Sequence, residues 1–259
     1  MPAPSFPQHP GKHDYVSLLR PEAVVARYLD DDTLVRPRAI IIGYSGALVS
    51  LLEARGFVRR GGYPSPWHAM WLRDGDNRLG VVEGFGFGAP GAAIVLEELV
   101  TLGATQFVNL GYAGALAHDV SFGDLVLCTK ALRDEGVSHH YAPPARYADA
   151  SRSLRAALAS TLCRHDYDFV EGANWTIDAL YRETREEAEA YRDEGVLTVD
   201  MEAAALFVIA QSLGVDVAAL FVVSDHLLEA ETWKMTHDWS RVHEKLAVAL
   251  DAAIETLTR

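Results

Sequence analysis

Cysteine is scarce in this chain, and the two that occur, Cys128 and Cys163, lie far apart. Neither belongs to a C-x-x-C pair, which argues against a disulfide framework or a zinc finger and indicates a reducing compartment, taken as the cytoplasm. Basic residues are also few, because 23 Lys and Arg stand against 36 Asp and Glu and leave a net charge of -13. Nucleic-acid binding needs clustered cations, so this balance argues against such a partner.

Long apolar runs are lacking as well. A stretch such as 217–223 is too short to cross a bilayer, so no membrane partner is expected. The Pro-rich start has no apolar segment typical of a signal peptide, and residues 1–14 are interpreted as a flexible N-terminal arm. What is present is an ordinary globular composition, 49% hydrophobic and 23% charged, without internal repeats or a long linker. Residues 15–259 are therefore predicted to form one domain.

Short aliphatic segments alternate with segments of helical periodicity. Strands are predicted at 38–43, 79–84, 106–110, 124–128, 196–199 and 217–223, and helices at 89–102, 153–163, 182–194, 201–213 and 239–257. This alternation indicates an α/β fold with a mainly parallel sheet and helices on both faces. Ligands bind such sheets at the carboxyl ends of the strands, which selects the segments 43–47, 84–88, 109–114, 200–202 and 224–226.

Three of these segments have features typical of a binding site. The glycine-rich stretch 84–91 either brings backbone close to a ligand or is a tight strand–helix turn, and it matches neither the dinucleotide nor the P-loop pattern. Asp200 and Glu202 follow a strand, where one acid can cap the next helix and the other can accept hydrogen bonds from two ribose hydroxyls. Asp225 follows an apolar strand, either as part of a strand terminator or as a general acid.

Four segments, in this order, resemble the purine nucleoside and uridine phosphorylase family, whose superfamily includes the methylthioadenosine nucleosidases. They are 111–114 (GYAG), 133–141 (RDEGVSHHY), 200–205 (DMEAAA) and 223–226 (VSDH). The resemblance runs from about residue 38 to the C-terminus. It implies a single α/β domain whose mixed, mostly parallel sheet curls toward a barrel between flanking helices. It also implies cleavage of a nucleoside N-glycosidic bond and assembly into a homo-oligomer, as a dimer, trimer or hexamer.

The resemblance assigns roles to individual residues, position by position. Asp225 matches the acid that protonates the purine N7, and it is the predicted catalytic residue. Glu202 matches the glutamate that binds the ribose hydroxyls, and Met201 matches the methionine beside sugar and base. The other predicted substrate-binding residues are Leu180 and Tyr181 at the base, Gly43, Asn109 and Gly111 at the phosphate, and His13 reaching a neighbouring subunit's 5'-hydroxyl.

The phosphate-binding positions depart from the family pattern. Phosphorylases of this type have arginines where this chain has Ala47 and Asn109, and a serine or threonine where it has Tyr112. Phosphate is a dianion for which arginine is the natural partner, so these losses favour water as the acceptor. The nucleosidases have a water-activating glutamate at the Ala47 position, and this glutamate is missing too. Three basic residues are candidate substitutes, although each is more often a surface charge. They are Arg59 or Arg60 from a neighbouring subunit, and Lys234 on the last loop.

The sequence therefore predicts cleavage of a purine-type nucleoside, with phosphate as the first acceptor and water as the close alternative. A purine is favoured because the Gln-x-Arg pair that recognises uracil in uridine phosphorylases does not follow Tyr181. A non-catalytic nucleoside-binding homologue and an enzyme for an unusual nucleoside stay open. His139 and His140 have no third ligand at usable spacing, so neither a metal nor a cofactor is expected. Trp233 is a candidate lid residue.

Overall fold

The computed structural model describes residues 9–29, 35–61, 68–73, 75–228 and 233–259. The strands are β1 (Ala39–Gly43), β2 (Phe57–Gly61), β3 (Ala69–Arg73), β4 (Asp76–Glu83), β5 (Gln106–Ala115), β6 (Leu125–Asp134), β7 (Tyr147–Asp149), β8 (Val170–Ile177), β9 (Val196–Asp200), β10 (Asp216–His226) and β11 (Lys234–Met235). The α-helices are α1 (Pro21–Leu29), α2 (Ala47–Ala54), α3 (Ala89–Thr101), α4 (Arg152–Arg164), α5 (Arg185–Asp193), α6 (Ala203–Leu213) and α7 (Trp239–Thr258). Three 3-10 helices cover Lys12–Asp14, Ser138–His140 and Leu180–Arg182.

All strands of the described ranges belong to one sheet, and part of it closes on itself. The ring runs β10, β6, β8, β9, β5 and returns to β10, because β5 pairs with both β9 and β10. Beyond β5 the sheet continues through β1, β4, β3 and β2. β5 is parallel to β1 and β10 and antiparallel to β9. The fold is a single α/β domain with a mixed sheet closed into a five-strand barrel, which confirms the expected fold class.

Helices cover the sheet on two sides and bury two apolar clusters. One cluster joins α3 and α6 to the sheet, with Leu96 and Phe207 at its centre. The other joins α2, α4 and α7 to the sheet through residues such as Leu52, Leu158 and Leu250. β10 is buried along most of its length, which explains its unbroken apolar run.

Several elements differ in extent from those that the apolar pattern predicts. β5 continues to Ala115 instead of ending at Leu110, because its glycine-rich second half still pairs with β10. The charged helix begins at Arg185, three residues later than expected, after a 3-10 turn. β8 was not predicted, because the polar residues Asn174 and Thr176 interrupt its apolar pattern although both are fully buried. These two side chains have partners in the site.

The predicted N-terminal arm lies only partly within the described residues, which begin at residue 9. The ring nitrogen Nε2 of His13 lies 3.1 Å from the carbonyl oxygen of His139 in the same chain. Lys12 contacts His140 beside it. The division of the chain at residue 14 stays a prediction. Within the described ranges, no helix combines the length and apolarity needed to cross a bilayer.

Candidate active site

A cavity of about 310 Å³ opens where β5, β9 and β10 end. This volume is in the range of pockets that hold small ligands. The walls come from segments that are far apart in the sequence but meet at one edge of the barrel. They comprise Tyr44, Ser45, Phe87, Tyr112, Ala113, Gly114, Leu180, Glu183, Val199, Asp200, Met201, Glu202, Ser224 and Asp225.

Asp200 is buried, and both of its carboxylate oxygens accept hydrogen bonds from the protein. Oδ1 accepts from Asn174 Nδ2 and Thr176 Oγ1 of β8, each at 2.7 Å. Oδ2 accepts from the backbone N–H groups of Glu202 at 3.2 Å and Ala203 at 2.8 Å, and so caps α6. Burial raises the pKa of Asp200, and these hydrogen bonds oppose the rise. Asp200 therefore holds the β9–α6 junction together.

Glu202 is the second acid of this junction, and its carboxylate lines the cavity. The backbone N–H of Gly88 donates to its Oε1. Gly88 has a φ of 104°, a conformation that glycine adopts without strain, and it precedes α3. The glycine-rich turn thus orients Glu202 through its backbone. Burial raises the pKa of Glu202, and the neighbouring charge of Asp200 raises it further.

Asp225 reaches the cavity through a bulge in β10. The register shifts between Val223 and Asp225, which leaves Ser224 as the extra residue and pairs Asp225 with Gly114 of β5. A Cβ at Gly114 would come within 2.8 Å of Asp225 Oδ2, so the glycine makes room for the carboxylate. Ser224 Oγ donates to Oδ1 at 2.7 Å, and Trp233 Nε1 donates to Oδ2 at 2.8 Å. Trp233 therefore contacts the predicted general acid directly.

Glu183 is a further carboxyl in the cavity wall, and the sequence analysis did not identify it. It follows the 3-10 turn Leu180–Arg182 and is partly buried. Burial raises the pKa of Glu183 to about 7, and the charge of Asp225 also raises it. A signal was available: Thr184 caps α5 by accepting from the backbone N–H of Glu187, a Thr-x-x-Glu capping pattern. That pattern starts the helix at residue 185 and leaves Glu183 outside it.

Four of the nine predicted site residues line this cavity: Asp225, Glu202, Met201 and Leu180. Tyr181, next to Leu180, is 96% exposed and does not line it. His13 contacts the main chain of His139 instead, within its own chain. The functional roles of all these residues stay predictions.

The three residues predicted for phosphate binding lie behind the cavity wall. Gly43 faces α2, where a Cβ would meet Leu48 Cδ1 at 2.3 Å. Gly111 packs against the Tyr44 ring. Asn109 is fully buried in β5, and its side-chain nitrogen and oxygen have no hydrogen-bond partner among the described residues. Their predicted contact with phosphate stays untested.

Hydroxyl groups occupy the wall where the family pattern places phosphate. Ser45 Oγ lies 3.4 Å from the Tyr112 hydroxyl. The Tyr44 hydroxyl is buried, and burial raises its pKa well above the ordinary value, with the charges of Glu202 and Asp200 adding to the rise. The Tyr44 hydroxyl therefore stays protonated and can donate a hydrogen bond. Among the described residues that line the cavity there is no Lys, Arg or His.

The basic residues considered as substitutes lie elsewhere in the structure. Arg59 of β2 is 3.4 Å from Glu83 Oε1. Arg60 is exposed on the same strand. Lys234 of β11 is exposed, and its strand position pairs with His226. None of the three lines the cavity within this chain.

A barrel of this topology with acids at its carboxyl edge defines the class of protein. The family model described as the phosphorylase superfamily matches residues 39–259, and the chain belongs to this superfamily. Curated relatives include the DeoD-type purine nucleoside phosphorylase of Clostridium perfringens, which is 31% identical over 67% of this chain and 74% of its own. The protein of that name from Bacillus cereus is 29% identical over 67% and 75%.

Solved structures show the same fold. The uridine phosphorylase of Vibrio fischeri superposes with a TM-score of 0.74 at 24% identity and covers 88% of this chain and 94% of its own. The purine nucleoside phosphorylase of Toxoplasma gondii, in complex with immucillin-H, gives a TM-score of 0.72 at 20% identity, covering 85% and 90%. The resemblance stated from the sequence motifs is thereby confirmed at the level of the family.

Proposed function

We propose that this protein cleaves the N-glycosidic bond of purine-type nucleosides. The observation that carries the proposal is that Asp225 and Glu202, from β10 and the β9–α6 junction, line one cavity of about 310 Å³. A proton donor for the base and an acceptor for sugar hydroxyls are thus held in the same space. Membership in a superfamily whose curated relatives are named purine nucleoside phosphorylases supports the same reaction class.

Asp225 is the proposed general acid. Breaking the bond between C1' and the base nitrogen leaves positive charge on the sugar and negative charge on the base. Protonation at N7 neutralises the departing base, and a positioned acid typically contributes about 10²–10⁴-fold to the rate. The hydrogen bonds from Ser224 and Trp233 fix the orientation of this carboxyl.

Glu202 is the proposed sugar ligand. Its carboxylate, fixed by the Gly88 N–H, can accept hydrogen bonds from two vicinal ribose hydroxyls. Its negative charge also stabilises the cationic sugar more strongly in the transition state than in the ground state. Met201 and Leu180 add apolar surface to the same cavity.

The acceptor of the sugar has two candidates. Phosphate is the first, because the curated relatives carry the name of phosphorylases. Water is the second, and one observation favours it: the cavity-lining residues that the structure describes include four carboxyls and no cation. A phosphate dianion placed beside Glu202 would need a cation from a neighbouring subunit. A neutral water needs no counter-charge, because the hydroxyls of Tyr44, Ser45 and Tyr112 can orient it and a carboxylate of the cavity wall can take its proton.

The experiment is base release from adenosine, inosine, methylthioadenosine and uridine, each with and without phosphate. Purine release is expected, with uridine unreacted. Release that requires phosphate and yields a sugar phosphate identifies phosphorolysis, and release that is independent of phosphate identifies hydrolysis. No release from any purine nucleoside would contradict the proposal and favour a non-catalytic binding protein.

We also propose that the protein is a homo-oligomer in the cytoplasm. Exposed apolar side chains support assembly, because Leu18, Leu19, Phe87 and Ile94 each leave most of their surface uncovered in the single chain. The free thiols of Cys128 and Cys163 fit a reducing compartment. Light scattering on the purified protein tests the assembly, and a monomer at micromolar concentration would contradict it.

A further inference from the structure

Two carboxyls from different segments of the chain line the same cavity. Asp225 comes from β10, and Glu183 comes from the loop between the Leu180–Arg182 turn and α5. They are close enough for the charge of one to act on the other. The proposed reaction uses only Asp225 of this pair, which leaves Glu183, partly buried in the same cavity wall, without an assigned role.

The edge of a purine that carries N7 also carries the substituent at C6. In adenine this edge presents an acceptor at N7 and an N–H donor at the 6-amino group, whereas a 6-oxopurine presents two acceptors. A side chain next to the acid that protonates N7 therefore faces the C6 substituent, which is a hydrogen-bond donor in a 6-aminopurine and an acceptor in a 6-oxopurine. A carboxylate accepts from a donor and is repelled by a carbonyl oxygen.

We propose that Glu183 lies beside the C6 substituent of the base and selects 6-aminopurine nucleosides over 6-oxopurine nucleosides. This inference rests on the proposed function, in which Asp225 meets N7. In the complex with a 6-aminopurine, the carboxyl of Asp225 donates its proton to N7, and the ionised carboxylate of Glu183 accepts a hydrogen bond from the 6-amino group. With a 6-oxopurine, Glu183 must itself be protonated in order to donate to the oxygen.

The protonation of Glu183 makes this selection depend on pH. Burial raises the pKa of Glu183 to about 7, so the carboxyl changes from donor to acceptor within the range in which the enzyme can be assayed. The ratio of activity on 6-amino over 6-oxo substrates should therefore rise as pH rises through this value. The carboxylate form favours the amino group, and the acid form tolerates the carbonyl.

Other titratable groups around Glu183 act on both substrates alike. The cavity wall also holds Tyr44, Tyr112, Asp200 and Glu202, which lie toward the sugar or are bound by the protein. On its own segment, Arg182 and Arg185 are exposed. Next to Asp225, Lys234 of β11 lies opposite His226 of β10 in the strand register, and Lys234 is exposed. Because these groups meet the same sugar or solvent in both reactions, their titration cancels in the ratio of the two activities.

The test measures kcat/KM for adenosine and inosine between pH 5.5 and 8.5 in the wild type, Glu183→Gln and Glu186→Gln. Glu186 is the matched control, since it is an exposed glutamate three residues away on α5. In the wild type and in Glu186→Gln the adenosine-to-inosine ratio should rise roughly tenfold or more across pH 7. In Glu183→Gln the ratio should be flat, because an amide can donate or accept at any pH.

A binding measurement keeps this inference separate from the proposed function. Calorimetry with adenine and hypoxanthine reports the same preference without any turnover. If no nucleoside is cleaved but adenine binds more tightly to the wild type than to Glu183→Gln, the proposed function fails and the recognition by Glu183 stands. If Glu183→Gln keeps the wild-type ratio and its pH dependence in both assays, the inference is overturned.

Discussion

Asp200 and Glu202 are two residues apart in the sequence and have different tasks in the structure. Asp200 accepts four hydrogen bonds from β8 and the start of α6, so no oxygen of its carboxylate is left over for a ligand. Glu202 receives one backbone hydrogen bond and lines the cavity. The negative charge of the buried Asp200 therefore disfavours ionisation of Glu202 and raises the pKa of Glu202.

The raised pKa of Glu202 has a cost in stability. The native state holds this proton more tightly than the unfolded chain, so the free energy of unfolding falls as pH rises from the ordinary carboxyl pKa to the raised value. Glu202→Gln removes the buried charge, and the variant should be more stable than the wild type by at least about 1 kcal/mol at pH 8. Denaturant unfolding at pH 5 and pH 8 measures this gain.

The gain should be small at pH 5, where Glu202 is already neutral in the folded protein. Glu186→Gln, on the exposed face of α5, serves as the control and should change stability equally at both pH values. The prediction fails if the stability curves of Glu202→Gln and the wild type run parallel over this range. Glycosidic cleavage by Glu202→Gln should fall by orders of magnitude, because the charge that stabilises the cationic sugar is lost.

Asp225 is tested by the substitution that keeps its shape. Asp225→Asn keeps one carbonyl oxygen, which can accept from Ser224 or from Trp233 but not from both, and its amide cannot protonate the base, so kcat should fall by about 10²–10⁴. Asp216→Asn at the start of the same strand is the control, because Asp216 meets Ser153 at the opposite end of β10. Steady-state base release measures both, and full activity in Asp225→Asn would remove it from the mechanism.

Sequence patterns found the residues that follow strands but missed those whose position depends on distant segments. Asp225 and Glu202 follow apolar runs, so the rule for strand ends selects them directly. Glu183 lies in a charged stretch whose side chains look solvated, and only the fold brings it against Asp225. The strand-end rule also selects the segment 43–47, which contains Tyr44, but the sequence does not mark this residue further, since an aromatic residue after a strand is typical of core packing.

At the scale of elements, the pairing of β5 with β10 positions the acid. The bulge at Ser224 changes the register, and Gly114 on the facing strand leaves space for the carboxylate of Asp225. A methyl group at Gly114 would meet Leu227 Cδ1 at 2.6 Å as well as Asp225 Oδ2 at 2.8 Å. The position of the proposed general acid therefore depends on the absence of a side chain on the neighbouring strand.

Gly114→Ala should displace the carboxylate of Asp225 and lower kcat by roughly tenfold or more, because small misplacements of reacting groups are costly. Overpacking should also lower the free energy of unfolding by about 1–3 kcal/mol. Gly91→Ala on α3 is the control, since its Cβ would meet only ordinary contacts at 3.5 Å with Phe85. Parallel kinetic and unfolding measurements test both effects, and unchanged kcat in Gly114→Ala would contradict this account.

The secondary structure could be predicted where packing alone determines the residue pattern. β10 and α7 meet this condition, because apolar runs and helical periodicity mark their buried surfaces. β8 does not meet this condition, because its buried residues Asn174 and Thr176 are polar and donate hydrogen bonds to Asp200. Closure of the barrel through β5 and β10 could not be derived from periodicity, because it depends on pairing between strands about a hundred residues apart. The barrel was expected only because of the resemblance to the family.

At the scale of the whole molecule, acidic residues outnumber basic ones both in the chain and in the described part of the cavity wall. The chain has a net charge of -13, and the cavity wall holds Glu183, Asp200, Glu202 and Asp225 without a cation among the described lining residues. Such a site is complementary to positive charge on the sugar, and in the proposed reaction that charge develops only as the glycosidic bond breaks.

A sugar analogue with a protonated nitrogen in its ring should therefore bind much more tightly than the matching neutral nucleoside, by about 10² or more. Calorimetry at pH 8, where the raised pKa of Glu202 of about 8 leaves a large fraction of this carboxyl ionised, measures both dissociation constants. The same pair measured on Glu202→Gln should show a smaller difference, because one of the charges that attract the cation is gone. Equal affinity of the two compounds for the wild type would argue against charge complementarity at the sugar.

The 3-10 turn Leu180–Arg182 and Glu183 stand apart from the barrel that holds the remaining acids. With the roles proposed above, this arrangement separates the part of the site that would select the base from the part that would perform the reaction. Mutations in these few positions would leave the strand pairing and the buried acid network of β8 and β9 untouched. A lineage could therefore acquire a new nucleobase preference by drift in one short surface segment while its reaction stays the same.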